Sequence, residues 1–166
     1  MAAQLSVAQS EDTPASFHTV ELFCMNVMPP AWLENVIPFV VKVLEYRKYR
    51  RWTLSVVFCD DTYIQNLNMR YRHQNYPTDV LSFSQISTPA ELPADHFDAG
   101  DLIISLEMLS ENARYFHVDE EEELKRLLIH GILHLGGWDH ADNNPEQIML
   151  KMQEEILRTL LEEKIY

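Results

Sequence analysis

No run of about 18 apolar residues occurs anywhere in the chain, so a helix that crosses a bilayer is excluded and a membrane is not an expected partner. Cysteine is scarce: Cys24 and Cys59 have neither the number nor the spacing of a disulfide framework or a Cys-rich zinc site. They read as buried thiols in a reducing cytoplasm. Positive charge arrives late. The first Lys or Arg is Lys42, so no basic region precedes an apolar stretch near the N-terminus, and the expected location is cytoplasmic rather than exported. Thirteen Lys and Arg against 26 Asp and Glu give a formal net charge of −13, which opposes diffuse binding to a polyanion. DNA is therefore not expected as a partner, and any RNA contact must be local.

What is present suits one domain with a real core, at 166 residues and 46% hydrophobic. Residues 1–16 are small and polar without a usable period and read as a loosely ordered extension; residues 17–166 form the expected domain. A first strand is expected from His18, then a helix over Ala31–Arg50 with Leu33, Ile37, Val40, Val41 and Leu44 along one face. Pro38 should kink that helix or mark a first turn. The β-branched run Thr53–Cys59 reads as a strand, followed by a short helix capped by Asp60 or Asp61, with Ile64 and Leu67 inward and an end near Arg72. Third and fourth strands are expected at Thr78–Phe83 and Leu102–Ser105, separated by a loop over residues 87–100. Three helices complete the chain. The first runs to about Phe116. The second starts at an Asp119 cap with Glu120–Glu123 in its first turn, where the helix dipole favours acids. The third opens at Asn144 with Pro145 in the first helical position and buries Ile148, Met152, Ile156, Leu157 and Leu160.

Chemistry concentrates in the second of these helices. His130 and His134 are four residues apart, which puts both imidazoles on one face about one turn from each other. Gly136 and Gly137 let the backbone leave the helix sharply, so that His140 can fold back toward the same point. Three histidines around one Zn2+ leave a fourth tetrahedral position for water, the arrangement of a catalytic rather than a closed structural site. The spacing H-x3-H-x5-H, with Gly137 ahead of the third His, matches the metzincin ligand pattern in every ligand and in the glycine. Gly131 departs from it, standing where peptidases hold their Glu general base. The remaining histidines, His18, His73, His96 and His117, read as core or surface residues.

The segment His130-Gly-Ile-Leu-His-Leu-Gly-Gly-Trp-Asp-His140 resembles the H-G-x-L-H-L-x-G-x-D-H signature of the YbeY family of bacterial rRNA-maturation endoribonucleases. Two further blocks, Leu67–Phe83 and Gly100–Ser105, are similar to that family's L-N-x-x-Y/F-R...P-T-D-V-L-S-F and G-D-I-x-I-S patterns, with small departures at Ser84 and Trp138. The resemblance runs from about Thr53 to the C-terminus. It implies a zincin-like α/β (α+β) domain, with a small mixed sheet of about four strands and the metal-bearing helix packed centrally. It also implies a single-strand-specific, metal-dependent endoribonuclease that matures the small-subunit rRNA 3′ end and serves ribosome quality control. The family's metal-binding histidines fall on His130, His134 and His140, and its functional arginine on Arg72. A guanidinium there could grip a phosphate in bidentate fashion. Asp79, Asp101 and Asp139 are candidates to orient a histidine N–H or cap a turn, and the general base is unassigned.

Residues 42–72 carry seven basic side chains against three acids, a local balance of +4 that could guide a strand of RNA, although a solvated helix end explains Arg47–Arg51 as well. Two other readings are compatible with the residues. One is a metallopeptidase with an unidentified base. The other is a ribosome assembly factor with a chiefly structural metal, whose acidity suits binding to basic ribosomal proteins.

Overall fold

The computed structural model describes the backbone of residues 3–9 and, in full, residues 17–93 and 95–166. Among the described residues, five strands form one mixed sheet: β1 (Ala3–Gln9), β2 (Thr19–Met25), β3 (Trp52–Cys59), β4 (Val80–Ser84) and β5 (Phe97–Ser105). Their order is β1-β2-β3-β5-β4, with β2, β3 and β5 parallel and the outer strands β1 and β4 antiparallel to their neighbours. Five α-helices among the described residues accompany the sheet: α1 (Val36–Tyr46), α2 (Asp61–Arg72), α3 (Leu106–Phe116), α4 (Glu120–Leu135) and α5 (Ile148–Thr159). No helix among the described residues is long and apolar enough to cross a membrane.

The four expected strands are present, and β1 adds a fifth by pairing its backbone with β2 across a register shift between Gln4 and Ser6. The extension expected over residues 1–16 otherwise lies, at 1–2 and 10–16, outside the described residues. Strand β5 starts five residues earlier than its apolar core suggests. Gly100 permits this: its φ of +110° and the Phe83 carbonyl lying 1.9 Å from where a Cβ would stand let β4 press directly onto β5. Pro38 falls in the first turn of α1, where its missing N–H costs nothing, and a short 3-10 turn at Leu33–Asn35 precedes it. The helix stops at Tyr46, short of Arg50, because Lys48 and then Arg51 take left-handed φ values.

Asp60 rather than Asp61 caps α2, its carboxylate accepting from the Tyr63 N–H at 2.8 Å. The Asp61 carboxylate is free to accept instead from the Ser105 hydroxyl at 2.6 Å, tying α2 to the start of α3. Helix α5 opens three residues later than Pro145 suggests. Asn144 closes its own turn first, its side-chain oxygen accepting from Glu146 N–H and its carbonyl from Gln147 N–H. The shift rotates the buried face onto Met149, Gln153, Ile156 and Leu157, leaving Ile148 69% exposed.

Helix α4 is buried around most of its girth, with Leu124, Leu127, Leu128, Ile129, Ile132, Leu133 and Leu135 all in the core. It packs against α1, α3, α5 and both β4 and β5. Even Lys125 is enclosed there, paired with Glu121 at 3.5 Å and donating to the Leu161 carbonyl at 2.7 Å. Helix and sheet are in close contact at Gly131, where an added Cβ would stand 2.6 Å from Leu102 Cδ2. Leu102 is fully buried, so it can give way only by displacing its packed neighbours. The glycine that replaces a peptidase's general base is thus a packing requirement of this interface. Gly131→Glu should cost at least ~3 kcal/mol, since it overpacks the interface and buries an unpaired carboxylate. Urea unfolding measures this, and an unchanged midpoint would show that Leu102 yields.

Candidate metal centre

Three turns along α4, His130 and His134 leave the buried stripe and face a groove between α4 and β4. Past the helix end the backbone turns at Gly137, whose φ of +80° and approach to Thr88 (carbonyl carbon 2.4 Å from an added Cβ) admit no side chain. That turn carries His140 back over the helix. The ring centroids lie 4.6 Å (His130–His134), 5.1 Å (His130–His140) and 5.4 Å (His134–His140) apart, and one ring nitrogen from each lies within 4.8 Å of the other two.

The far side of each ring decides what those nitrogens can do. His134 Nδ1 is 2.9 Å from the Trp138 carbonyl and His140 Nδ1 is 2.9 Å from the Asp142 carbonyl. A carbonyl only accepts, so each Nδ1 carries the proton. His130 Nδ1 lies 2.8 Å from Gln153 Oε1, and the amide's orientation is fixed because Gln153 Nε2 donates to Glu154 Oε1 at 3.0 Å. His130 therefore donates through Nδ1 as well. All three Nε2 atoms are left as lone-pair donors, those of His130 and His134 only 3.1 Å apart. Two unprotonated nitrogens cannot hydrogen-bond each other, and their lone pairs repel. A cation between them removes the conflict, and tetrahedral zinc would set two imidazole nitrogens about 3.3 Å apart. The donor set fits the expected metal.

Burial, reinforced by the neighbouring His130, pushes His134 down to about 4. His130 is also lowered, by burial above all, with smaller contributions from His140 and Arg72. Both rings are thus neutral at pH 7, the form a metal needs.

Arg72, at the last turn of α2, lines the same groove with Ser82, His134 and Asp139. It takes part in no ion pair among the described residues. The three aspartates divide. Asp79 lines the groove, but its carboxylate accepts from Val80 N–H (2.8 Å), the Thr78 hydroxyl (3.2 Å) and Asn112 Nδ2 (2.9 Å), so it anchors the start of β4 and touches no histidine. Asp139 lies 3.9 Å from His134 Nδ1, while its carboxylate accepts the His140 N–H at 2.8 Å, which stiffens the turn that bears the third ring. Asp101 is not at the site. It alternates with Leu102, which meets α4, and pairs with Phe83, so it faces the opposite side of the sheet.

The residue that sequence reasoning missed is Gln153, a polar side chain in the buried face of α5. Behind it runs a polar chain. Glu154 Oε1 also accepts from Arg126 Nε, and Arg126 pairs with Glu122 and Glu123 at 2.9 and 2.8 Å. Two of the four glutamates at the start of α4 therefore hold the support of His130.

Nitrogen-15 NMR of the metal-free protein should show all three histidines as the Nδ1-protonated tautomer, and Gln153→Leu should abolish that preference for His130 alone. Acid should destabilise the metal-free chain. His18, His130 and His134 have folded values below the unfolded 6.5, so their contribution is complete above pH 6.5 and is lost as pH falls toward about 4. Melting temperatures across that range test the sign.

The Endoribonuclease YbeY family profile matches residues 26–161. Endoribonuclease YbeY of Treponema denticola is 45% identical over 167 residues, covering 100% of this chain and 99% of the relative. That of Treponema pallidum is 49% identical over 139 residues, covering 83% of this chain and 87% of the relative. Among solved structures, that of TM1509 from Thermotoga maritima superimposes with a TM-score of 0.59 at 25% identity, over 84% of this chain and 87% of that one. The three converging histidines and this match over most of the length agree: the chain belongs to the Endoribonuclease YbeY family.

Proposed function

We propose that this chain is a zinc-dependent endoribonuclease that cuts single-stranded RNA, and that its substrate is ribosomal RNA at the 3′ end of the small-subunit molecule. The observation that carries the reading is the set of three Nε2 lone pairs converging in a groove that is also lined by Arg72, an arginine without an ion pair among the described residues. The relatives' name supports hydrolysis of RNA, and the resemblance of the three sequence blocks supports the ribosomal substrate.

His130, His134 and His140 would hold the ion. Zinc so held supplies a Lewis acid and brings the pKa of its water to near 7. Arg72 binds a non-bridging phosphate oxygen pair and stabilises the charge that builds on the equatorial oxygens during attack. Its planar fork suits that task better than a lysine would. Ser82, beside it on β4, adds a hydroxyl to the same wall. The histidines are half-buried below a rim formed by Arg72 and Asp139. A single strand can bend a phosphate down to them, whereas a duplex holds its phosphates on a stiff rod.

The wider basic stretch contributes less than its +4 balance suggests. Lys42 is paired with Glu163, Arg51 with Asp95, and Arg47 packs its guanidinium over Tyr49 and Trp138. The cation left for the substrate within the groove is Arg72.

Arg72→Ala should lower kcat/KM on a single-stranded RNA oligonucleotide by at least ~100-fold while bound zinc, measured by mass spectrometry, stays at one ion per chain. His134→Ala should lose both. Full activity in Arg72→Ala removes the assigned role. Wild-type protein that holds zinc but cleaves no RNA would favour the assembly-factor reading.

A further inference from the structure

The groove does not end at the metal centre. Beyond His130 and His140 it opens into a cavity of about 700 Å³, walled by the end of α3 and the start of α5, with Asn112, Tyr115, Phe116 and Leu150 among its lining. Tyr115 and Phe116 occupy the last turn of α3 and are 78% and 56% exposed. Their rings meet edge to face, with centroids 5.0 Å apart. They are not part of the core: Phe116 continues the stripe of Leu109 and Ala113, which are buried, but at the helix end that stripe runs out into solvent, and Tyr115 points away from it. Adjacent aromatic rings standing in solvent at the mouth of a cavity of mixed polarity forgo the hydrophobic stabilisation that burial would give them.

The charges of this cavity differ from those on the Arg72 side. Asp79 and Glu123 face it against the single cation Arg126, which is already engaged by Glu122, Glu123 and Glu154. The lining repels a phosphate. It is rich in acceptors, however: Asn112 spends its amide N–H groups on Asp79 and Glu123, which leaves its Oδ1 free for a donor. An uncharged, flat ligand with N–H groups at its edge matches both the rings and the acceptors. A nucleobase has that chemistry, and its own phosphate would reach toward the histidines.

We propose that this cavity is a nucleobase subsite, in which Tyr115 and Phe116 stack one base of the RNA strand next to the phosphate held by Arg72. The strand then crosses the metal centre in one direction, base first on the α3 side and phosphate on the α2 side. This rests on the RNA-cleaving reading above and gives it a polarity.

A cycle of cleavage measurements tests it. The substrate is a single-stranded RNA oligonucleotide, either intact or carrying one abasic ribose at successive positions around the cut. The zinc-loaded wild-type protein is compared with Tyr115→Ala/Phe116→Ala and with Tyr115→Trp. In wild type, one abasic position should lower kcat/KM about 10-fold through KM, the size expected for one stacked base. In the double variant that penalty should shrink below about 2-fold, and Tyr115→Trp should retain it. An abasic penalty that persists in the double variant overturns the subsite alone and assigns the aromatic pair to another use, such as contact with a protein. If wild type cleaves no RNA, the proposed function fails and the subsite fails with it.

Discussion

Three hydrogen bonds from imidazole Nδ1–H groups to oxygen atoms, those of Gln153, Trp138 and Asp142, set the character of this molecule. They fix one tautomer on each ring and so point three lone pairs inward, at a cost in repulsion that the surrounding fold must bear until a cation arrives. Two of the acceptors are main-chain carbonyls in the turn that follows α4. The turn therefore orients rings as well as delivering one, which explains why Gly137 is pressed so closely against Thr88. Displacing that turn would move His140 and loosen His134 together.

Helix α4 supplies the rigidity this arrangement needs. A helix that is apolar around most of its girth is held by helices and sheet, so the spacing between His130 and His134 is set by a backbone that cannot shift without opening the core. Metal sites on loops lack that constraint. The third histidine is the exception, and here Asp139 shortens the freedom of the turn by accepting the His140 N–H. Elements far apart in sequence meet behind the first ring, where α5 contributes Gln153 and Glu154 and α4 contributes Arg126 and its glutamates.

Much of this was legible in the residues. The i, i+4 pair and the glycine turn encode the convergence of the three histidines, since both are local geometry. Strand β3 and helices α2, α3 and α4 were equally legible because periodicity and capping are local. What was hidden depends on contacts across the chain. Edge strand β1 offers only a short alternation, Ala3, Leu5 and Val7 with Gln4 and Ser6, too weak to read as a strand beside its small polar neighbours, and it pairs through its backbone with β2. The early start of β5 depends on Gly100 meeting Phe83, and the rotated face of α5 depends on Asn144 closing a turn before the helix begins. Gln153 could have been suspected as the polar residue at i+4 from Met149 and three before Ile156, yet the face shifted by one residue made Met152 look like the inward position. Asp101 reads like a site residue within its motif and is turned away only by the two-residue alternation of β5.

The overall charge of −13 bears on how such a site meets a polyanion. Long-range attraction is absent, so the groove does not gain affinity from released counterions in the way that a basic surface does. On the proposed reading, recognition comes from contacts that discriminate, namely the Arg72 guanidinium on one side of the histidine cluster and the acidic cavity rimmed by Tyr115 and Phe116 on the other. The acids that create the −13 are in part structural: Glu121, Glu122 and Glu123 are spent on Lys125, Arg126 and the C-terminal backbone, so they stabilise α4 at the same time as they keep the molecule from adhering to nucleic acid indiscriminately. On the proposed reading, fold stability and substrate selectivity draw on the same carboxylates.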